Sequence, residues 1–471
     1  MTASTSVPIV RDPRAGRRIL SRWAAPEGRP NPVMASLRAA GPALLFFTAA
    51  RIVGLLGLLL LSHDSAGYTL DRLAVHWDAS WYLDIARHGY DHAIRAPLPG
   101  AGHHRYTNLA FFPFYPLLIR IVHTVLPVLP WGVVGLAVAW GCSLVAAWGI
   151  HAAVAHRYGP RVATLAALLW GIAPTAIIES AGYSESAFTA LVAWSLYAVL
   201  KRYWLTAGVL ALLAGLTRPT GVALAAALFA AAALEVCVRL RARGTGPAWL
   251  DTVIRSVNRQ PAGGGLPPLP DRTPLWRPVV AALISPLGWL GFVAWTGLRL
   301  HHWNAYFQIQ GLWKSRFDFG HTTGADFKMM FTSSNPLNLY DPVVGCVIIA
   351  AVVLLIATVA QRQPLPFLVL SLVLVVITVG DAAYFSSAPA SCCRPSRCCC
   401  RSPPGWPGCA TGRCWSRCWS RPRPVRRCTA PMCCCTPPAR PDPARPVRPA
   451  APGRDLPGWI CRARGVRGSG R

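Results

Sequence analysis

Residues 42–62 read PALLFFTAARIVGLLGLLLLS, and this stretch decides the fold class. A hydrocarbon core of about 30 Å takes roughly 20 apolar residues as a helix, so the run is long enough to cross a bilayer. A second apolar run, LVLSLVLVVITVG, lies at 368–380. Across all 471 positions, 53% of residues are hydrophobic and only 14% are charged. A water-soluble domain of this composition would expose large apolar patches. The expected class is an all-α polytopic membrane protein.

Charge gives the direction. The first 42 residues carry seven arginines against Asp12 and Glu27. The run that follows is too long for a signal-peptide core and lacks a small-residue cleavage site, so it reads as an uncleaved first span. Basic flanks stay on the cytoplasmic side, which puts the N-terminus inside. The net charge of +29 does not require a nucleic-acid partner. Residues 388–471 hold 17 Arg and two Asp, and the 239–277 loop holds seven Arg and two Asp. Together with the N-terminal arm, the loop is where membrane topology places basic residues, so no nucleic-acid binding is expected.

The expected organisation starts with a disordered cytoplasmic arm at 1–42 and a first span at 43–62. An extracytoplasmic loop at 63–130 follows, ending in LAFFPFYPLLIRIVHTVLPVLP at 109–130. Pro113, Pro116, Pro127 and Pro130 interrupt that apolar segment. Proline removes helical hydrogen bonds, which predicts a membrane-surface or partly dipping helix there instead of a crossing. A transmembrane bundle at 131–298 is expected, with spans near 131–154, 162–179, 185–200, 204–217, 219–238 and 278–298. An outer loop at 299–341 and two spans within 342–384, near 342–360 and 364–382, complete the bundle. Counting crossings keeps the basic 239–277 loop inside and puts 63–130, 182–186, 217–221 and 299–341 outside. There is no internal repeat, glycine-rich phosphate loop or nucleotide fingerprint.

Residues 388–471 have a different character. Thirteen of the 16 cysteines fall after residue 390, in runs such as SCCRPSRCCCR, and Leu456 is the single leucine. A zinc site fits poorly, because no histidine is present and Cys398, Cys399 and Cys400 cannot all reach one tetrahedral ion. An odd number of irregularly spaced cysteines does not make a disulfide framework either. In GC-rich DNA, a CTG leucine repeat read one base out becomes TGC, the codon for cysteine. The tail therefore reads as a frameshifted, disordered translation of leucine-rich helix. Resequencing around the codon for Ala388 checks this: an in-frame read that reproduces the tail ends the idea.

The candidate chemistry collects on the outer face. HWDASWYLDIARHGY at 76–90 sets Asp78 between Trp77 and Trp81, with Tyr82 and Asp84 one turn on. An aspartate among flat rings can take a proton from a bound sugar hydroxyl while the rings stack on the sugar's apolar face. The plainer alternative for Asp78 is a helix N-cap. Asp84 could share the base role, but on a helix it lies about 120° off the face of Asp78. GYSES at 182–186 adds Tyr183 and Glu185, and TRPTG at 217–221 adds Arg218. HHWNAYFQIQGLWKSRFDFG at 301–320 adds Gln310, Trp313, Lys314 and Arg316. Charges near span ends commonly line polar cavities, though each can also snorkel to water, and the aromatic residues can form an interfacial belt.

HWDASWYLDIARHGY closely resembles the first-loop motif of the PIG-V-like mannosyltransferases. NLAFFPFYPLLIR at 108–120, ESAGYSESAFTALVAWSLYA at 179–198 and AGLTRPTG at 214–221 resemble later motifs of that family, so the resemblance spans about 43–386. The GC-rich frame and basic arms point to a bacterial relative. The resemblance implies a GT-C glycosyltransferase, a multi-helix bundle with surface helices on a large first outer loop. Such enzymes transfer mannose from a polyprenyl-phosphate carrier to a lipid or glycan acceptor on the extracytoplasmic face, with no nucleotide and no bound cofactor. The resemblance makes Asp78 the catalytic base. Arg218, Lys314 and Arg316 are candidates to receive the leaving phosphate, and Glu185 and Gln310 to orient sugar hydroxyls. No metal is expected, because the first loop has no Asp-x-Asp pair. The competing readings are a membrane transporter, a lipid-linked-sugar binding subunit, or an inactive frameshifted product. Clustering of the ionisable residues at one face favours the enzyme over a transporter, whose charges sit near mid-span.

Overall fold

The computed structural model describes residues 31–62, 65–94, 107–174, 176–242, 274–332 and 340–383. All of them fall in one unit, Met1–Pro395; a second unit, Ser396–Arg471, lies outside the described residues. The arm before residue 31, most of the 239–277 loop and the tail from 388 also lie outside them. No strand is formed among the described residues; one isolated bridge joins Phe317 and Asp381.

Helix α1 runs Pro32–Leu61, beginning well before the expected boundary near residue 43. Asn31 explains the early start: its side chain accepts from the backbone N–H of Val33, and Pro32 occupies the first turn, where a missing N–H costs nothing. The helix is apolar all round, yet it buries only the stripe Ala40, Ala43, Phe47 and Arg51. The rest of its surface, including Leu45, Phe46 and Leu56, is exposed, as a bilayer-facing helix requires.

Two short helices follow, α2 (Ala66–Val75) and α3 (Asp78–His88). Ser65 caps α2, and Gly89, with φ 83°, ends α3. α4 (Phe114–Val125) has 12 residues, about 18 Å, too short to cross a bilayer alone. Its buried face is Tyr115, Pro116 and Ile119, while Leu117, Ile121 and Val125 are exposed. The Tyr115 hydroxyl donates to the Gly135 carbonyl, pinning α4 to the start of the next long helix.

The bundle comprises α5 (Trp131–Tyr158), α6 (Pro160–Gly171), α7 (Glu185–Leu200), α8 (Trp204–Gly215) and α9 (Gly221–Ala242). It continues through α10 (Trp276–Ile284) and α11 (Leu287–Arg299), and then α12 (Ala305–Leu312), α13 (His321–Thr332), α14 (Tyr340–Ala360) and α15 (Leu365–Gly380). The span expected at 162–179 stops at Gly171. Proline at 174 and the close approach of Phe47 to Gly171 mark the stop. The helix expected at 278–298 divides between α10 and α11 at Ser285–Pro286, where proline lacks the N–H needed to continue the ladder.

Five segments among the described residues are long and apolar enough to cross a membrane: Pro32–Leu61, Trp131–Tyr158, Gly221–Arg241, Trp276–Arg299 and Asp341–Ala360. The protein is an all-α, multi-pass membrane protein. With no hydrophobic drive between helices inside lipid, close packing must come from small residues. Ala207, Ala211 and Ala214 of α8 are fully buried against Ala223 and Ala227 of α9 and Ala281 of α10. A Cβ on Gly288 of α11 would overlap the Leu212 carbonyl oxygen on α8. Gly288→Ala is therefore expected to cost about 1–3 kcal/mol through overpacking, read as a lower Tm in detergent. An unchanged Tm would show that the α8–α11 contact is slack.

Candidate active site

α3 starts abruptly. Trp77, at φ 52°, lies in the left-handed region that side chains rarely adopt, and it turns the chain sharply between α2 and α3. This turn, and not Asp78 itself, caps α3; Asp78 is the helix's first residue. The loop 176–184 docks against α2, where the Gly182 N–H donates to the Leu73 carbonyl at 2.9 Å. A side chain on Gly182 would crowd Ala74 and Ala79, so glycine allows the close approach. That contact brings the start of α7 beside the start of α3.

Asp78, Tyr82, Ser184, Glu185 and Arg218 meet there. Arg218 pairs with Glu185 at 2.6 Å and donates to the Ser184 hydroxyl at 3.2 Å. The Tyr82 hydroxyl lies 2.7 Å from the same serine oxygen. The Tyr183 phenol lies beside Asp78 and feels its charge. The Asp78 carboxyl is half-buried, and burial, reinforced by the Glu185 charge and offset by Arg218, pushes it up to about 6. Burial likewise pushes the Tyr82 and Tyr183 phenols up, so both stay neutral. Glu185 gives Oε1 to Arg218, while Oε2 is buried with no hydrogen-bond partner among the described residues. An acceptor left unmet in this way costs stability unless something fills it.

Other expected site residues lie elsewhere. Asp84 faces a separate network, accepting from Asn108 at 3.1 Å and lying 3.1 Å from His88 Nδ1. Asn108 in turn accepts from the Asp91 N–H and donates to the Gly89 carbonyl. Asp84 thus holds the returning loop. Trp81 is not a free platform: Phe111 stacks on it at 5.9 Å and Trp313 meets it edge-on at 5.5 Å. Trp77 is exposed, with the Arg72 guanidinium 5.1 Å from its ring centroid. Gln310 donates to the Ala110 carbonyl and the Tyr306 hydroxyl, tying α12 to the 108–112 turn. Lys314 and Arg316 are exposed, and Arg316 lies along Gly311. Neither contacts the Asp78 cluster. They sit on the chain just past α12, where the positive φ of Lys314 turns the backbone away.

Three residues escaped the sequence reading: Ser184, which bridges Tyr82 and Arg218, and the neighbours Glu179 and Arg51. Glu179 opens the ESAGYSES stretch, and its carboxylate accepts from Ser186 at 2.8 Å. Burial pushes it up to about 7; the Ser186 hydrogen bond opposes this, and Glu185 adds to it. Its cationic neighbour is Arg51 of α1, which is 4% exposed and donates to the Ala176 carbonyl. The available signal was an arginine midway through an apolar span, where charge at membrane depth is costly and usually functional. Among the described residues, no three His, Cys, Asp or Glu side chains gather as metal ligands.

No family model matches the chain. No solved structure matches it. Among curated proteins, it is 34% identical over 154 residues to GPI alpha-1,6-mannosyltransferase 2 of Mus musculus, covering 30% of this chain and 28% of that protein. It is 33% identical over 140 residues to the Homo sapiens protein of the same name, covering 27% of this chain and 25% of that one. The match thus spans between a quarter and a third of those proteins' length. The chain is a multi-pass membrane protein with a partial similarity to mannosyltransferases.

Proposed function

We propose that the protein is an inverting mannosyltransferase of the PIG-V-like, GT-C type. It would take mannose from a polyprenyl-phosphate donor and pass it to a lipid or glycan hydroxyl outside the cytoplasm. The observation that carries this reading is the Asp78 carboxylate. It accepts no hydrogen bond from the described residues and stands beside a paired Glu185 and Arg218. A general base works best with a pKa near the operating pH, and a value of about 6 leaves Asp78 mostly ionised at pH 7.

In the proposed reaction, the acceptor oxygen gives its proton to Asp78 as it attacks the anomeric carbon. The carbon–oxygen bond to the lipid phosphate breaks on the opposite face. The departing phosphate gains negative charge, and Arg218 is the cation whose charge acts on the base. Its Nη1 is committed to Glu185 and Ser184, leaving Nε and Nη2 without partners among the described residues. The unmet Oε2 of Glu185 would accept a sugar hydroxyl. Lys314 and Arg316 have no place in this step.

The charge distribution supports an external site. Ser36, His156 and Lys201 line one cavity, and Arg202, one residue from Lys201, pairs with Glu235 together with Arg239. Arg38, Arg157, Arg161, Lys201, Arg202, Arg239 and Arg241 therefore gather at one end of the bundle. Among the described residues at that end, Glu235 is the one carboxylate, and the Asp78 cluster lies at the other. The basic end belongs inside.

The test uses membranes expressing the chain, as given and with the 388–471 frame restored, supplied with labelled polyprenyl-phosphate mannose. Transfer of label to a lipid or glycan product is the expected result with the restored frame. No transfer with either form overturns the reading.

A further inference from the structure

The end of the bundle opposite Asp78 holds a polar cavity that the proposed transfer does not use. It measures about 250 Å³ and is lined by Ser36 of α1, His151 and His156 of α5, Tyr197 of α7, and Lys201. The 16 residues of α7 separate it from Glu185. At 1.5 Å per residue that is about 24 Å. The two sites are independent.

Four observations define what would fit. His151 is 3% exposed, and its Nε2 is buried without a partner among the described residues. A buried imidazole nitrogen left unmet costs stability, so the cavity is built for a polar occupant. Lys201 is exposed at the mouth, its ammonium 5.9 Å from the Tyr197 ring, and His156 meets the same ring edge-on at 6.4 Å. The carboxylate at this end, Glu235, is already held by both Arg202 and Arg239. It does not neutralise Lys201, the one lysine or arginine that lines the cavity. Finally, from Ser36 toward the bilayer centre the outer face of α1 is apolar and exposed, with Leu45 and Phe46 at 69% and 52% exposure.

We propose that this cavity binds the phosphate of an anionic phospholipid headgroup, with the acyl chains lying along the outer face of α1. Lys201 and the imidazoles supply donors to the phosphate oxygens, and charge-assisted bonds of this kind are strong. Basic pockets between spans suit anionic headgroups for the same reason. A soluble phosphate offers the same oxyanion without the chains, and the experiment separates the two.

The full chain, purified in non-ionic detergent, is titrated with dioctanoyl-phosphatidylglycerol, and bound lipid is counted by native mass spectrometry. Lys201→Ala and His151→Phe are each expected to weaken binding about tenfold or more, and Lys201→Arg to retain it. Arg161→Ala removes an exposed charge from the same end without touching the cavity, and should bind as the wild type does. Displacement of the lipid by millimolar inorganic phosphate would show that the phosphate alone is recognised. Failure to displace would make the chains part of the ligand; either result keeps the site. Lys201 is exposed, so its loss does not threaten folding. Wild-type binding by Lys201→Ala, or an equal loss in Arg161→Ala, overturns the proposal.

Discussion

Asp78→Asn is expected to lower mannosyl transfer by about 10²–10⁴-fold, the usual contribution of a general base, without lowering Tm. Asparagine keeps the shape and removes only proton acceptance. The stability half of this prediction follows from linkage. The folded carboxyl titrates near 6, above its unfolded value near 4. The fold therefore favours the protonated form, and its contribution to stability is lost as pH rises from about 4 through 6. A neutral asparagine escapes that loss, so the variant should melt at or above the wild-type temperature at pH 7. In the wild type, kcat/KM should fall tenfold per unit below pH 6 and level off above it, because only the ionised base works. Retained turnover in Asp78→Asn would remove this carboxylate from the mechanism.

The second large effect is on stability. Arg218→Leu leaves Glu185 partly buried without its cation, close to the Asp78 charge. Removing one member of a buried pair costs about 3–5 kcal/mol. Exposures of 28% and 23% for the two side chains put this case at the low end. The double variant Arg218→Leu/Glu185→Leu should recover much of the loss, since no lone charge remains. A single variant as stable as the wild type would show that solvent reaches the pair freely. The same pair tunes the base. Arg218 holds the Asp78 value down and Glu185 raises it, so the acid limb of the pH profile should move up in Arg218→Leu and down in Glu185→Gln. A limb that stays fixed in both variants would assign it to some group other than Asp78.

How far the sequence could be read depends on what each feature needs. Spanning length and proline breaks are local properties of the chain, so apolar runs located most helices, and Pro113 and Pro116 marked a short α4. Helix ends were less legible. The Asn31 cap drew α1 back to Pro32, and Pro286 divided what hydropathy reads as a single span. Asp78, Tyr82, Glu185 and Arg218 could be singled out before any geometry was known, because each falls in a polar island between apolar runs. Lys314 and Arg316 fall in a similar island yet face solvent. Position near a span end does not say which way a side chain turns.

The sequence alone determined that this chain must live in a bilayer as helices, since backbone polar groups in hydrocarbon must be satisfied within the helix. Only the tertiary structure decided which ionisable groups share a site. Glu179 and Arg51 lie 128 positions apart and become neighbours because α1 packs along α6 and ends its buried stripe at Arg51. Trp81 likewise meets Phe111 and Trp313, rings from two other segments that only the packed bundle brings to it. Burial and partner charge set what a carboxylate or ring can do, and both are properties of the packed bundle.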